Sequence, residues 1–302
     1  MNREIPEIIS SYEDYLTIIQ EKASSTVYSY TIDIMLLMDY LRTKDKYQGL
    51  AIDETFIKLI ELKDLYGFLS YVKNDRDNSS FARARKIAVI KSFFKYCETK
   101  LKILDNNPCR ELEVPKQPLK QIHYLTLEES EALLKDIVGR NKRRDLAILT
   151  LFLNCGLRLS ELCNIKLKDI KGDILVVRGK GDKDRTVYLN EKCIEVIESY
   201  TEERKNIKQS YLFISERKNQ VSKRMVQYIV QKNISATGLD TTKYTTHKLR
   251  HTAATLLYKH SNVDIRTIQK ILGHKNIGTT QVYTHVDDED LRKAIKSNPL
   301  NK

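Results

Sequence analysis

Residues 112 to 122 read LEVPKQPLKQI, with two prolines and no helical period. Proline fixes φ and removes a backbone donor, so neither a helix nor a central strand runs comfortably through such a stretch. It predicts an extended linker, and a linker there makes two bodies of the chain. At 302 residues the chain is also longer than one comfortable core. The expected division is a helical domain over 1–111, the linker over 112–122 and a second domain over 123–302.

The first part reads as helices. Ile8, Tyr12, Leu16 and Ile19 recur at helical spacing, as do Tyr30, Ile34, Leu37 and Leu41. A further helix is predicted from Phe81 to Leu101, with Ile87, Ile90, Phe94, Cys97 and Leu101 on one stripe. Lys91, Lys95 and Lys102 lie one residue out of phase, on the neighbouring stripe. That pattern suits a core beside a solvated face, and equally lysines laid against DNA phosphates, so Lys91 and Lys95 are candidate DNA contacts. Asn106, Asn107 and Pro108 stop the helix.

Beyond the linker, Thr126 and Glu129 form the two ends of a capping box. An apolar helix over Arg143 to Asn154 ends at Gly156, and Ser160 and Glu161 open a short one. Ile174 to Arg178 and Thr186 to Leu189 are β-rich and joined through GKGDKD, which predicts a hairpin. Ser222 caps another helix, His247 to His260 and Asp264 to Leu272 give two more, and a last short one lies around Asp288 to Lys296. The fold class is mainly α: an N-terminal helical bundle, then a mixed, mostly helical domain with a small antiparallel sheet.

Charge points to a polyanionic partner. Residues 1 to 120 carry 19 Lys/Arg against 18 Asp/Glu, whereas residues 121 to 302 carry 33 against 22. Positive charge concentrated in one domain favours nucleic acid first and an acidic membrane second. The start, MNREIP, lacks the apolar run of a signal peptide, and the run Leu146 to Leu153 is too short to span a bilayer. A soluble, cytoplasmic protein without membrane association is expected. The five cysteines show no CxxC pairing, so buried free thiols are expected rather than a metal site. Gly179-Lys180-Gly181 lacks the spacing of a phosphate-binding loop, and no carboxylate cluster suggests paired metals. Phosphate chemistry here would fall to cationic side chains, with no cofactor and no metal.

Singly, the candidates have ordinary readings. Arg158 can be a helix-terminal charge, Lys180 a solvated hairpin tip, His247 and Arg250 a surface pair and His274 a C-terminal cap. Tyr283 is one of 17 tyrosines. Together they form an ordered string: GLRLSEL (156 to 162), GKGDKDR (179 to 185), HKLRHTAAT (247 to 255), LGH (272 to 274) and TTQVYTH (279 to 285). The string resembles the catalytic domain of the tyrosine recombinase, or phage integrase, family, and within it the bacterial Xer recombinases.

The resemblance implies roles. Arg158, Lys180, His247, Arg250, His274 and Tyr283 match the catalytic set, with Tyr283 the nucleophile and Glu161 and His251 in support. It implies that the first domain binds DNA and that the second is catalytic. It also implies a 3′-phosphotyrosyl intermediate with a free 5′ hydroxyl. The expected partner is a double-stranded recombination site, bound by a tetramer on two sites or by a hetero-tetramer with a paralogous recombinase. The C-terminal helix would pack on a neighbouring protomer or fold back in cis. Two guanidiniums suit the charge that develops on non-bridging phosphate oxygens. Tyrosine titrates near 10, so its proton needs a base, for which His247 and His274 both stand open, as does a role for either in hydrogen-bonding the phosphate. Lys180 suits a general acid for the departing oxygen. A type IB topoisomerase and a catalytically silent DNA-binding accessory protein are the competing readings.

Overall fold

The computed structural model describes residues 4–116, 123–178, 184–260 and 264–273. The chain partitions into two compact units, Met1–Lys120 and Gln121–Lys302. Helix predominates, and the strands form one small antiparallel sheet.

In the first unit α1 (Glu7–Asp14) runs directly into a π-helical turn, Tyr15–Ile19, followed by α2 (Ser24–Leu41). A short α3 (Glu54–Lys58), α4 (Leu62–Asn74) and the long α5 (Ser80–Thr99) complete it. The apolar stripes meet in one core: Ile9, Tyr12 and Leu16 pack with Ile34, Leu37 and Leu41, with Phe68, and with Ile87, Ile90, Phe94 and Cys97. Ile19, expected on the first stripe, is instead 68% exposed. The π turn is the reason, because its wider winding rotates every later residue out of phase with Leu16. The long helix also ends earlier than the stripe predicts. Lys102 adopts a left-handed φ of 56° beyond its end. On α5 itself, Lys95 is exposed and Lys91 half-buried. A buried ion pair ties α2 to α5, with Asp33 2.8 Å from Lys86 Nζ and 2.7 Å from Arg85. Leu112, placed in the linker by its neighbouring prolines, is buried in this core.

The second unit starts as its cap predicts. Thr126 accepts from the amide of Glu129, whose carboxylate accepts from the Thr126 amide, opening α6 (Leu127–Lys135). α7 (Lys142–Cys155) is buried along most of its length and runs through the core. It stops at Gly156, whose φ of 55° is left-handed. Then come α8 (Leu159–Asn164), β1 (Ile170–Lys171), β2 (Ile174–Arg178) and β3 (Asp184–Tyr188). The sheet order is β1-β2-β3, and β2 pairs with β3 from Ile174↔Tyr188 to Arg178↔Asp184. Alternation turns Leu175, Val177 and Val187 inward. β3 thus begins two residues before the predicted strand and ends one earlier, because Asp184 still pairs with Arg178. α9 (Glu191–Glu203), α10 (Lys223–Ala236), α11 (Thr246–His260) and α12 (Ile265–Leu272) follow. No helix among the described residues is long and apolar enough to cross a membrane. All five cysteines are buried free thiols.

Candidate active site

Gly156 caps the end of α7, and two residues on Arg158 directly precedes α8, so the first arginine sits on the turn between two helices. Glu161, one turn along α8, is 2% exposed. Its carboxylate accepts from the Arg158 backbone amide at 2.8 Å and from Arg158 Nη1 at 2.6 Å. Arg250 comes from α11, which packs against α7, and is 3% exposed. Its Nη1 donates to the Gly156 carbonyl at 2.5 Å and lies 4.0 Å from Glu161 Oε2. Arg250, far along the chain, is therefore brought beside the neighbouring pair Arg158 and Glu161.

A third guanidinium, to which the sequence motifs attach no role, joins them. Arg185 on β3 reaches the same carboxylate, with Nη2 2.9 Å from Oε2 and Nε 3.4 Å from Oε1. The three arginines also share the end of α12. Arg185 Nη1 donates to the carbonyl of Ile271, Arg250 Nη2 to that of Leu272 at 2.5 Å, and Arg158 Nη2 to that of Gly273 at 2.7 Å. A helix leaves its last carbonyls without partners and carries partial negative charge there, which suits cations at this place. Gly273 closes α12 in the left-handed region, φ 64°. A methyl group there would meet Arg185 Cδ at 2.8 Å.

One carboxylate among three guanidiniums leaves the cluster net positive, and the Arg158 side chain is 35% exposed. Burial works to raise the pKa of Glu161. The hydrogen bond and charge of Arg185, and then the bonds from Arg158, outweigh burial and hold the carboxyl below its ordinary value. The cluster is thus a fixed, half-open patch of guanidinium donors, suited to an anion with several oxygens.

His247 and His251 lie one turn apart on α11, with ring centroids 4.5 Å apart and planes at 77°. His247 is exposed on the helix whose next turn carries Arg250, while His251 is half-buried. Lys180, His274 and Tyr283 lie outside the described residues, as does the last predicted helix. In sequence His274 directly follows Gly273, the residue whose carbonyl holds Arg158. Lys91 and Lys95 belong to the other unit.

Residues 123–290 match the model of the Phage integrase family. The chain is 46% identical to a tyrosine recombinase XerC of Caldanaerobacter subterraneus subsp. tengcongensis, covering 98% of this chain and 88% of that protein. It is 33% identical to a tyrosine recombinase of Pseudothermotoga lettingae, covering 95% and 96%. Among solved structures, XerA recombinase aligns at 28% identity and a TM-score of 0.53, over 98% of this chain and 99% of that one. The XerH site-specific recombinase bound to its palindromic difH substrate shares the fold at 22% identity and a TM-score of 0.74, over 96% and 84%.

Proposed function

This chain belongs to the phage integrase family and is a site-specific tyrosine recombinase, and from that premise we propose that Arg158 and Arg250 grip the scissile phosphate while Tyr283 attacks it. The observation that carries the reading is the convergence of two arginines from separate helices on one buried carboxylate, beside the chain segment that leads into His274. As the tyrosine oxygen adds to phosphorus, negative charge grows on the non-bridging oxygens, and donors already fixed in place stabilise it without reorganising. The guanidinium is planar and stays charged, so it does this without a metal. His247 or His274 takes the phenol proton, Lys180 gives one to the departing 5′ oxygen, and Glu161 and His251 support them. One phosphodiester is replaced by a phosphotyrosyl ester and later restored, so rejoining needs no external energy. Tyr244 is poorly suited to the nucleophile's task, since it packs against the core and burial pushes its phenol pKa up.

The partner in this reading is a duplex recombination site. The excess positive charge of residues 121 to 302 and the co-structure of the XerH relative with its DNA substrate support it. Residues 1–111 supply DNA contacts, with Lys91 and Lys95 on α5 as candidates, and the stretch after Leu112 joins the two domains. A tetramer on two paired sites exchanges the strands, built from this chain alone or with a paralogous recombinase.

The test is to footprint the protein on DNA flanking its own gene, then trap it on a nicked suicide duplex carrying the protected site. Tyr283→Phe keeps the footprint and loses the covalent adduct. An adduct that survives the substitution places the nucleophile elsewhere, with Tyr258 and then Tyr244 next to be replaced.

A further inference from the structure

We propose that Arg185 is a positioning residue of the cleavage site, holding the Glu161 carboxylate in the orientation from which Glu161 sets Arg158. The inference rests on the reading of Arg158 as a phosphate grip and adds a residue to which that reading gives no task.

The geometry is specific. Each oxygen of Glu161 is shared by the two arginines. Oε1 accepts from Arg158 Nη1 at 2.6 Å and faces Arg185 Nε at 3.4 Å. Oε2 accepts from the Arg158 amide at 2.8 Å and from Arg185 Nη2 at 2.9 Å. Arg185 thus spans both oxygens of the carboxylate with its fork. Its remaining Nη1 is anchored on the Ile271 carbonyl. One side chain therefore ties β3, α8 and the end of α12 together.

The Arg158 side chain is 35% exposed and can meet an anion arriving from solvent, whereas Arg185 turns Nε, Nη1 and Nη2 all toward protein acceptors, the Glu161 carboxylate and the Ile271 carbonyl. Glu161 is 1% exposed in its side chain, so water cannot readily replace a lost donor. Removing Arg185 leaves the carboxylate with hydrogen bonds from Arg158 alone and Arg250 at 4.0 Å, freer to turn about its last torsion, and Arg158 turns with it. A fork is required rather than a charge alone. A lysine can neutralise Glu161 but cannot span both oxygens and the Ile271 carbonyl.

The experiment compares Arg185→Ala, Arg185→Lys and Arg158→Ala in the full chain, on nicked suicide duplexes bearing the footprinted site. One duplex has an ordinary scissile phosphate. The other has a methylphosphonate there, which removes the charge that a guanidinium would balance. On ordinary DNA, Arg185→Ala slows covalent trapping by about tenfold to a hundredfold, less than the roughly 100- to 1000-fold typical of removing a direct donor. Its DNA affinity stays within about threefold, which also shows that the variant folds. Arg185→Lys recovers only part of the rate. On the methylphosphonate the deficits of Arg158→Ala and Arg185→Ala both shrink, each measured against the unaltered protein on the same duplex. A deficit of Arg185→Ala that is equal on both duplexes while that of Arg158→Ala shrinks makes Arg185 a fold-holding residue and overturns the proposal. Trapping by Arg185→Ala within threefold of the parent on ordinary DNA also overturns it. If the deficit of Arg158→Ala does not shrink, the phosphate-grip reading falls, and this inference with it.

Discussion

Glu161→Gln isolates what the buried carboxylate contributes. The glutamate is 1% exposed in its side chain and lies 2.6 Å from Arg158, 2.9 Å from Arg185 and 4.0 Å from Arg250. Glutamine keeps the volume but presents one acceptor where two oxygens now serve, and turns an NH₂ group toward a guanidinium. Removing one member of a buried ion pair costs about 3–5 kcal/mol, because the remaining charges stay buried without compensation. In a unit of this size each kcal/mol moves Tm by roughly 2–4 °C. The expected fall is therefore about 6–20 °C, read by calorimetry near neutral pH. A pH series gives a second check. Glu161 has its folded pKa held down, so its contribution is present above the unfolded value of about 4.3 and is lost as pH falls through the folded value. The gap between parent and variant should begin to narrow as pH falls below about 4.3 and close only below the depressed folded value. A variant within about 1 kcal/mol of the parent at neutral pH would refute the argument, as would a gap that persists unchanged under acid.

Arg250→Ala should cut covalent trapping by about 100-fold or more while DNA affinity changes little; equal losses in both would make Arg250 a binding residue. Affinity should fall steeply with salt, by about 0.9 in log K per log unit of salt for each phosphate neutralised, and a flat titration would remove the electrostatic basis of the DNA reading. Gly273→Ala should cost about 1–3 kcal/mol for its left-handed backbone and also slow cleavage, because the new methyl lies 2.8 Å from Arg185 Cδ. Gly238→Ala is the control: Gly238 has φ 76° with nothing within 4 Å of a methyl, so it should lose stability alone, and matching cleavage losses in both would separate the Gly273 effect from the arginine cluster.

What could be read in advance follows from the range of each interaction. α6, α10 and α12 begin where Thr126, Ser222 and Asp264 announce them, since each cap accepts from an amide three residues on. α9 carried an equally local signal, with Asn190 accepting from the Cys193 amide and Cys193, Val196, Ile197 and Tyr200 buried along one face. That signal is local and stands in the sequence itself. The π turn that exposes Ile19 has no such signature. In the site, Arg158, Glu161 and Arg250 stand in recognisable motifs, yet what Glu161 does depends on partners that no local spacing discloses. Arg185 lies inside the quoted string GKGDKDR, but its acceptors are 24 and 86 residues away.

Three guanidiniums from α11, β3 and the start of α8 end on three successive carbonyls, of Leu272, Ile271 and Gly273. These acceptors belong to the backbone, so the identities of the side chains at 271 and 272 need not disclose the contact. A helix terminus can thus gather cationic side chains from distant parts of a chain while leaving little trace in its own sequence. The same arrangement makes the end of α12 a common reference for the arginines. Because all three guanidiniums donate to it, a shift of that backbone would be felt at all three at once, and through Glu161 a change at Arg185 is felt at Arg158 as well.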